Sequence, residues 1–427
     1  MPSLKTRGTL TAKRQQLLEV PDLTGGLDLR RSPTLLGPNR ARTQANVSLE
    51  EPGAWTVRAG YRQASTASMG ANPTGGQRVY LSSRVFTLLA QDGAVYKPDD
   101  AWVKGSAVHS TISTGTMTFF PYDRDLVAVF DGVNRPRMST DGSTWVLMGI
   151  DAPAAAPTMS SIAGSLSSGS FAVAYTYKHR GTAHESSISP ESTIVLTAST
   201  GGGLRFTPVA STDGKVDAVV AYARHVLPDG ETVLRKASSG PVGSALDITS
   251  SNWVANDPAP TNHGVPPTGL RYGVIWKNRW WALDLMQGNR LWFTELFQPQ
   301  SWPADYYLDL PLERGDSLTA MQPLGDTLIL FGQSGKFAVI GQTSLDFEVR
   351  PMTGANSGAY GPRAAAQIEQ SVACVAADDI VSNDGASDRS LAFDIQVMVR
   401  DLASNIAGAT LTRVATVYDA LRKEFRV

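Results

Sequence analysis

Apolar bursts and tight polar turns alternate along this chain, and the unit they form recurs. Leu126-Val127-Ala128-Val129-Phe130 runs into Asp131-Gly132, and Val274-Ile275-Trp276 turns at Lys277-Asn278-Arg279 into Trp280-Trp281-Ala282-Leu283. Leu328-Ile329-Leu330-Phe331 turns at Gly332-Gln333-Ser334-Gly335 into Phe337-Ala338-Val339-Ile340, and Val414-Ala415-Thr416-Val417-Tyr418 turns at Asp419-Ala420 into Phe425-Arg426-Val427. Fainter copies span 85–96 and 372–384. A hairpin repeated at intervals of about 40 to 50 residues predicts a β-propeller, because one blade consumes about four short strands and their turns.

The repeat is interrupted. Residues 151–158, Asp-Ala-Pro-Ala-Ala-Ala-Pro-Thr, form a Pro/Ala linker, and such a segment commonly marks a domain boundary. Beyond it Phe171-Ala172-Val173-Ala174-Tyr175-Thr176-Tyr177 alternates with period two, and further β-rich runs lie at 191–198, 218–224 and 232–235. Several strands within roughly 100 residues predict a small immunoglobulin- or fibronectin-like sandwich. Asn256-Asp257-Pro258-Ala259-Pro260 closes it, and the blade pattern resumes near residue 266. The expected fold is therefore all-β: an extended arm over 1–50, blades over 51–155, an inserted sandwich over 156–260 and further blades over 261–427. One helix is expected over 394–405.

Charge sets the arm apart. The chain has 38 basic and 39 acidic residues, a formal net charge of −1, which argues against a dedicated nucleic-acid binder. Its first 45 residues hold eight basic residues, Arg30, Arg31, Arg40 and Arg42 among them, against three acidic ones, a net +5. With Gly25-Gly26, Pro33 and Pro38 and little apolar period, this stretch reads as an arm. It is either a solvated tail or a segment ordered by a neighbouring subunit. The opening residues lack the apolar core of a secretory signal, so the chain is expected to be made in a cytoplasm, where the sequon at Asn46 is chance. The single cysteine, Cys374, sits in an apolar strand and reads as a small buried hydrophobe.

Candidate chemistry is sparse. The five histidines (His109, His179, His184, His225 and His263) show no metal-binding helical spacing, and His179 and His184 flank a polar turn, where exposed loop histidines are expected. Gly332-Gln-Ser-Gly-Lys336 lacks the spacing of a phosphate-binding loop, and there is no Gly-x-Ser-x-Gly elbow. Asp378, Asp379, Asp384 and Asp388 are carboxylate-rich enough for calcium but lack the alternating ligand spacing. No local signal nominates a pair of glycosidase carboxylates. Trp276, Trp280, Trp281, Trp292, Phe293, Phe297, Trp302, Tyr306 and Tyr307 crowd into 32 positions. They can fill the wedge between blades or, with Trp280 and Trp281 exposed, form a glycan platform. No catalytic, cofactor or metal residue is expected, and no cofactor.

Several short segments carry a resemblance. Leu23-Thr24-Gly25-Gly26-Leu27-Asp28-Leu29-Arg30-Arg31-Ser32-Pro33, then Gly53-Ala54-Trp55-Thr56-Val57-Arg58-Ala59-Gly60-Tyr61, are similar to the start of many tailed-phage virion proteins. Asn289-Arg290-Leu291-Trp292-Phe293-Thr294-Glu295 with Trp302-Pro303, and the run 316–331, resemble two of their blades. The order of these segments covers most of residues 20–345; the last 60 or so match weakly. The family comprises propeller-type tail nozzle, ring and tail-tube proteins of short-tailed phages. The resemblance implies a non-enzymatic virion component, with several copies, often six, ringing the genome-ejection channel. Double-stranded DNA would pass without sequence-specific binding. The ring would attach to the portal–adaptor complex, and tail fibres or spikes would dock on it. Arg30, Arg31, Arg40 and Arg42, and Trp280 and Trp281, are the candidate interaction residues. A host receptor- or glycan-binding propeller is the alternative, and a propeller glycosidase a third reading.

Overall fold

The computed structural model describes residues 40, 47–48, 56–57, 73–393, 396, 399 and 414–426, with breaks at 101, 116, 123–125, 198–201, 227–232, 285, 313–315, 353–356 and 421–423. The arm, apart from Arg40 and 47–48, and nearly all of the expected helix over 394–405 lie outside the described residues.

Among the described residues, five four-stranded antiparallel meanders follow one another. Blade 1 comprises Gly75–Leu81, Arg84–Gln91, Ala94–Tyr96 and Ala107–Ser110; blade 2 comprises Thr118–Tyr122, Leu126–Phe130, Arg137–Ser139 and Val146–Leu147. Blade 3 is Leu270–Trp276, Arg279–Asp284, Arg290–Phe293 and Tyr307–Asp309; blade 4 is Ala320–Leu324, Thr327–Phe331, Lys336–Ile340 and Glu348–Pro351. Blade 5 is Ala365–Ile368, Ser371–Val375, Ile380–Asn383 and Asp388–Ser390, and Val417–Asp419 pairs with Glu424–Arg426 in a two-stranded sheet after it. The first strand of each sheet packs beside the first strand of the next, from Gly75–Leu81 round to Val417–Asp419. Strands so arranged about one axis form a β-propeller. Arg363, entering blade 5, donates from Nη2 to the Thr74 carbonyl at 2.6 Å and so ties the far side of the disc to blade 1.

Burial across each blade explains the sequence pattern. Second strands are the most hidden: Leu126–Phe130 and Arg279–Asp284 are buried at every position. Fourth strands such as Glu348–Pro351 are half-buried or exposed. A strand sandwiched between two neighbouring blades needs an apolar residue on both faces, hence a continuous apolar run instead of alternation. Its two faces serve two seams. Val127 and Val129 pack with blade 1, while Leu126, Ala128 and Phe130 pack with Leu270, Trp280, Ala282 and Trp302 of the blade 3 region. Trp281 and Leu283 turn the other way, onto Met321, Leu328 and Leu330 of blade 4. The tight turns follow the local chemistry: Asp92 and Gly93, and Lys277 and Asn278, all take positive φ, the geometry whose twist matches paired strands.

The middle of the chain, between blades 2 and 3, is two packed sheets. Thr158–Ile162, Gly203–Thr207 and Leu246–Ile248 form one. The other centres on Gly169–His179, which pairs Ala218–Val226 on one side and both His184–Glu185 and Ser192–Leu196 on the other; Arg235–Pro241 extends it. Phe171, Val173, Tyr175 and Tyr177 face the core with Leu204, Phe206, Val219 and Trp253. The opposite face is covered too. Ala174, Val220 and Tyr222 pack beneath Ile188, Leu234 and Ala259, the last from the returning segment, so the 171–177 run is hidden throughout where alternation alone implies one wet face. Both connecting segments are docked. Ile150 enters the sandwich core, and Ala259 N–H bonds the Leu234 carbonyl at 2.8 Å.

Two substitutions test these seams by chemical denaturation. Phe130→Ala is expected to cost about 3–5 kcal/mol, the range for truncating a fully buried aromatic. Lys336 is wholly buried and bridges blade 4 to Asp388 of blade 5 at 2.6 and 2.8 Å. Asp388→Ala is expected to cost a similar ~3–5 kcal/mol, because it strands a buried ammonium; a loss below ~1 kcal/mol would remove the pair from the list of blade-to-blade contacts that matter.

Candidate functional site

Two cavities are candidates. The first lies on the propeller axis and has a volume of about 390 Å³. First strands supply most of its wall, among them Gln77, Thr118, Phe120, Tyr272, Gln322 and Tyr418, and Arg363 joins them from the segment that enters blade 5. Its floor is irregular at blade 3, where the register with the second strand slips between Arg271 and Val274. Tyr272 there takes φ +55°, an uncommon conformation for a bulky side chain. Arg271 donates from Nη1 to the Tyr272 hydroxyl at 3.0 Å. Burial raises the Tyr272 phenol above its ordinary range, and Arg271 and Arg363 partly offset this.

The second is a cleft of about 800 Å³ where the sandwich meets the disc. The sandwich contributes 180–184; the disc contributes Tyr122, Leu126 and Thr140 from blade 2 and 296–300 from blade 3. His184 is 5% exposed and not the solvated loop histidine that its turn implied. The reason is tertiary: His263, on the returning segment, stacks on it with centroids 5.9 Å apart. His263 Nδ1 lies 2.9 Å from the Glu185 carbonyl oxygen, and its other nitrogen is 3.8 Å from Glu295. Glu185 accepts from Lys178 at 2.7 Å, Tyr222 at 2.6 Å and Thr176 at 3.2 Å. Burial alone would raise its carboxyl, but these donors outweigh it and hold the group below the usual carboxylate range. Nothing in the local sequence of His184-Glu185 marks this joint, since its partners come from segments distant along the chain.

The tryptophans, the cysteine and the acidic run singled out in the sequence fall into structural roles. Trp280 and Trp281, expected on an interaction surface, are 0% exposed. They stand on the second strand of blade 3, one ring packed edge-on against Phe130 and the other stacked on Phe293, so neither offers a glycan platform. Trp276 and Trp302 are buried beside them. Arg30, Arg31 and Arg42 lie outside the described residues, and Arg40 is half-buried. Cys374 is fully buried, and desolvation pushes its thiol up to about 12. In the 378–388 region, Asp388 is taken by Lys336, Asp384 accepts two turn N–H groups, and Gln396 donates to Asp379. Among the described residues no group of three or more His, Cys, Asp or Glu could hold a metal ion. Among the described residues no Asp or Glu lines either cavity, so these residues do not provide the facing carboxylates that glycoside hydrolysis needs. No helix of the described residues is long and apolar enough to cross a membrane.

No family model matches the chain, and no curated protein does. Among solved structures, it is similar to virginiamycin B lyase from Staphylococcus aureus at 10% identity and TM-score 0.29, over 73% of this chain and 80% of that one. A protein from Lactobacillus plantarum aligns at 13% identity and TM-score 0.31, over 75% and 84%. BamB from Moraxella catarrhalis aligns at 10% and 0.30, over 74% and 76%. Alignments this loose transfer neither substrate nor role, and lyase activity is a property of the first of those proteins alone.

The buried His184 makes the joint acid-sensitive. Burial, then the positive surroundings of His263, Lys215, His179 and Arg135, pushes it from an ordinary 6.5 down to about 3. A base depressed in the folded state contributes stability that is complete above the unfolded value and is lost as pH falls from there towards the folded one. The free energy of unfolding should therefore fall between pH 6.5 and pH 4, by at most about 1.4 kcal/mol per pH unit. His184→Gln should flatten that slope in urea titrations at several pH values; an unchanged slope would place the acid sensitivity elsewhere.

Proposed function

We propose that this protein is a structural component of a bacteriophage tail, without catalytic activity, in which several copies form a ring around the channel for genome ejection. The observation that carries the reading is where the virion-like segments fall. Asn289–Glu295 contributes the third strand of blade 3, and 316–331 supplies the first two strands of blade 4. The resemblance thus rests on the packing signature of a disc and not on a reaction site. The buried Trp280 and Trp281 favour the same side, since a glycan platform needs such rings on the surface.

In this reading each propeller is a stiff spoke, and the two-sheet insertion, of immunoglobulin or fibronectin type, stands on the disc through docked connections as a mount for fibres or spikes. Ring closure uses different faces of adjacent copies. The basic arm over 1–50 reaches a neighbour or the portal–adaptor complex, and six copies is the favoured number. A near-neutral net charge suits a lumen through which DNA slides without sticking. The assembled protein belongs in the virion tail.

Mass photometry with negative-stain imaging, at several concentrations and with or without a portal–adaptor complex, tests this. The full chain should close into rings alone or on the adaptor. A chain lacking residues 1–50 should stay a folded monomer. A full-length monomer indifferent to the adaptor at every concentration would defeat the assembly reading.

A further inference from the structure

The axial cavity has features that packing a disc does not require. One of its walls is a guanidinium, Arg363, with no carboxylate partner among the described residues, and the group acting on it through space is Tyr272. Behind Tyr272 a second arginine, Arg271, is likewise without a carboxylate; its Nε is buried without a hydrogen-bond partner. Across the cavity the Thr118 hydroxyl is buried and unpartnered as well. Buried polar atoms are nearly always satisfied in folded proteins, so the Thr118 hydroxyl in the cavity lining and the Arg271 Nε behind Tyr272 call for an explanation. Backbone strain adds to them: Tyr272 sits at φ +55° in a break of the strand register, and such bulges and left-handed side-chain-bearing residues concentrate where a side chain has been re-aimed for binding.

From these groups we infer that the mouth of the propeller axis is a binding site for a small organic anion, one carboxylate or phosphate on an apolar body. Arg363 supplies the charge. Arg271, by donating to the Tyr272 oxygen, occupies its acceptor side and leaves the phenolic O–H free to donate to the ligand. Thr118 offers a further hydroxyl. Phe120, Val274, Met321 and Val417 line the same cavity and suit an apolar body. The volume of about 390 Å³ lies in the range of small-molecule sites. The site does not rest on the tail assignment, since it is argued from the residues of the cavity alone.

Isothermal titration of the full chain with benzoate, phenyl phosphate and, as an uncharged control, benzyl alcohol tests it. Saturable binding of either anion below roughly 10 mM, with benzyl alcohol at least tenfold weaker, is the expected result. Arg271→Gln takes away the donor that orients the Tyr272 hydroxyl towards the ligand and should weaken the anion by about threefold to tenfold, the range for one net hydrogen bond. Arg363→Gln should do the same or more, but it also removes the bond to Thr74 and so risks the fold. Thr118→Val, nearly isosteric, serves as the variant least able to disturb folding; it should weaken binding with an unchanged melting temperature. No saturation by either anion overturns the proposal. So does benzyl alcohol binding as tightly as benzoate, or wild-type affinity in folded Arg271→Gln and Thr118→Val proteins.

Discussion

The contact between blades 2 and 3 is the constraint on which the rest of this structure depends. Every other pair of consecutive blades is joined by a short stretch of chain, so their proximity is enforced covalently. Here the chain leaves the disc after Val146–Leu147, builds the sandwich, and returns only at Leu270–Trp276. Side-chain packing therefore has to hold what the backbone does not. Phe130 meets Trp280 edge-on at 5.8 Å and Trp302 at 6.3 Å, and Tyr122 meets Trp280 at 5.2 Å. One backbone bond, from Gly132 N–H to the Leu270 carbonyl at 3.0 Å, adds direction. Large rings are suited to this because each buries more surface than an aliphatic side chain and edge-to-face geometry fixes their orientation.

The same requirement accounts for how the insertion is mounted. Were 151–158 a free tether, the sandwich would pull on the seam as an independent body. Instead Arg135 grips the exit: its Nε and Nη2 donate to the Met148 and Gly149 carbonyls at 2.9 and 3.0 Å, and Nη1 pairs Asp151 at 2.8 Å. On the return, His263 caps the His184 ring and Asn262 donates to Asp305 at 2.9 Å. The joint is thus built from polar and aromatic groups on short segments, while the disc and the sandwich keep separate hydrophobic cores.

Apolar bursts proved to be legible because second strands are hidden on both faces and so cannot alternate. The bursts at 126–130, 280–283 and 328–331 are second strands, yet 274–276 is a first strand. The hairpin read from the sequence therefore falls at different places within the blade, and the repeat looks uneven although the blades are alike. The crowd of aromatics at 276–307 was visible but its direction was not. Whether Trp280 and Trp281 face water or a neighbouring blade depends on the sheets stacked on either side, which no local pattern encodes. The axial site was illegible for a similar reason: Thr118, Tyr272 and Arg363 belong to three blades, and each looks ordinary alone.

By itself, the sequence determined the all-β character, the recurring meander, the position of the interruption and the lack of any local catalytic or metal motif, because strand period, turn residues and ligand spacing are local properties of a chain. Only the tertiary structure decided which rings are buried, that His184 is a desolvated base at a joint, and that two arginines and a strained tyrosine meet at the axis. Burial, stacking and the pairing of charges depend on segments brought together from far apart, and their energies arise only once water has been excluded between them.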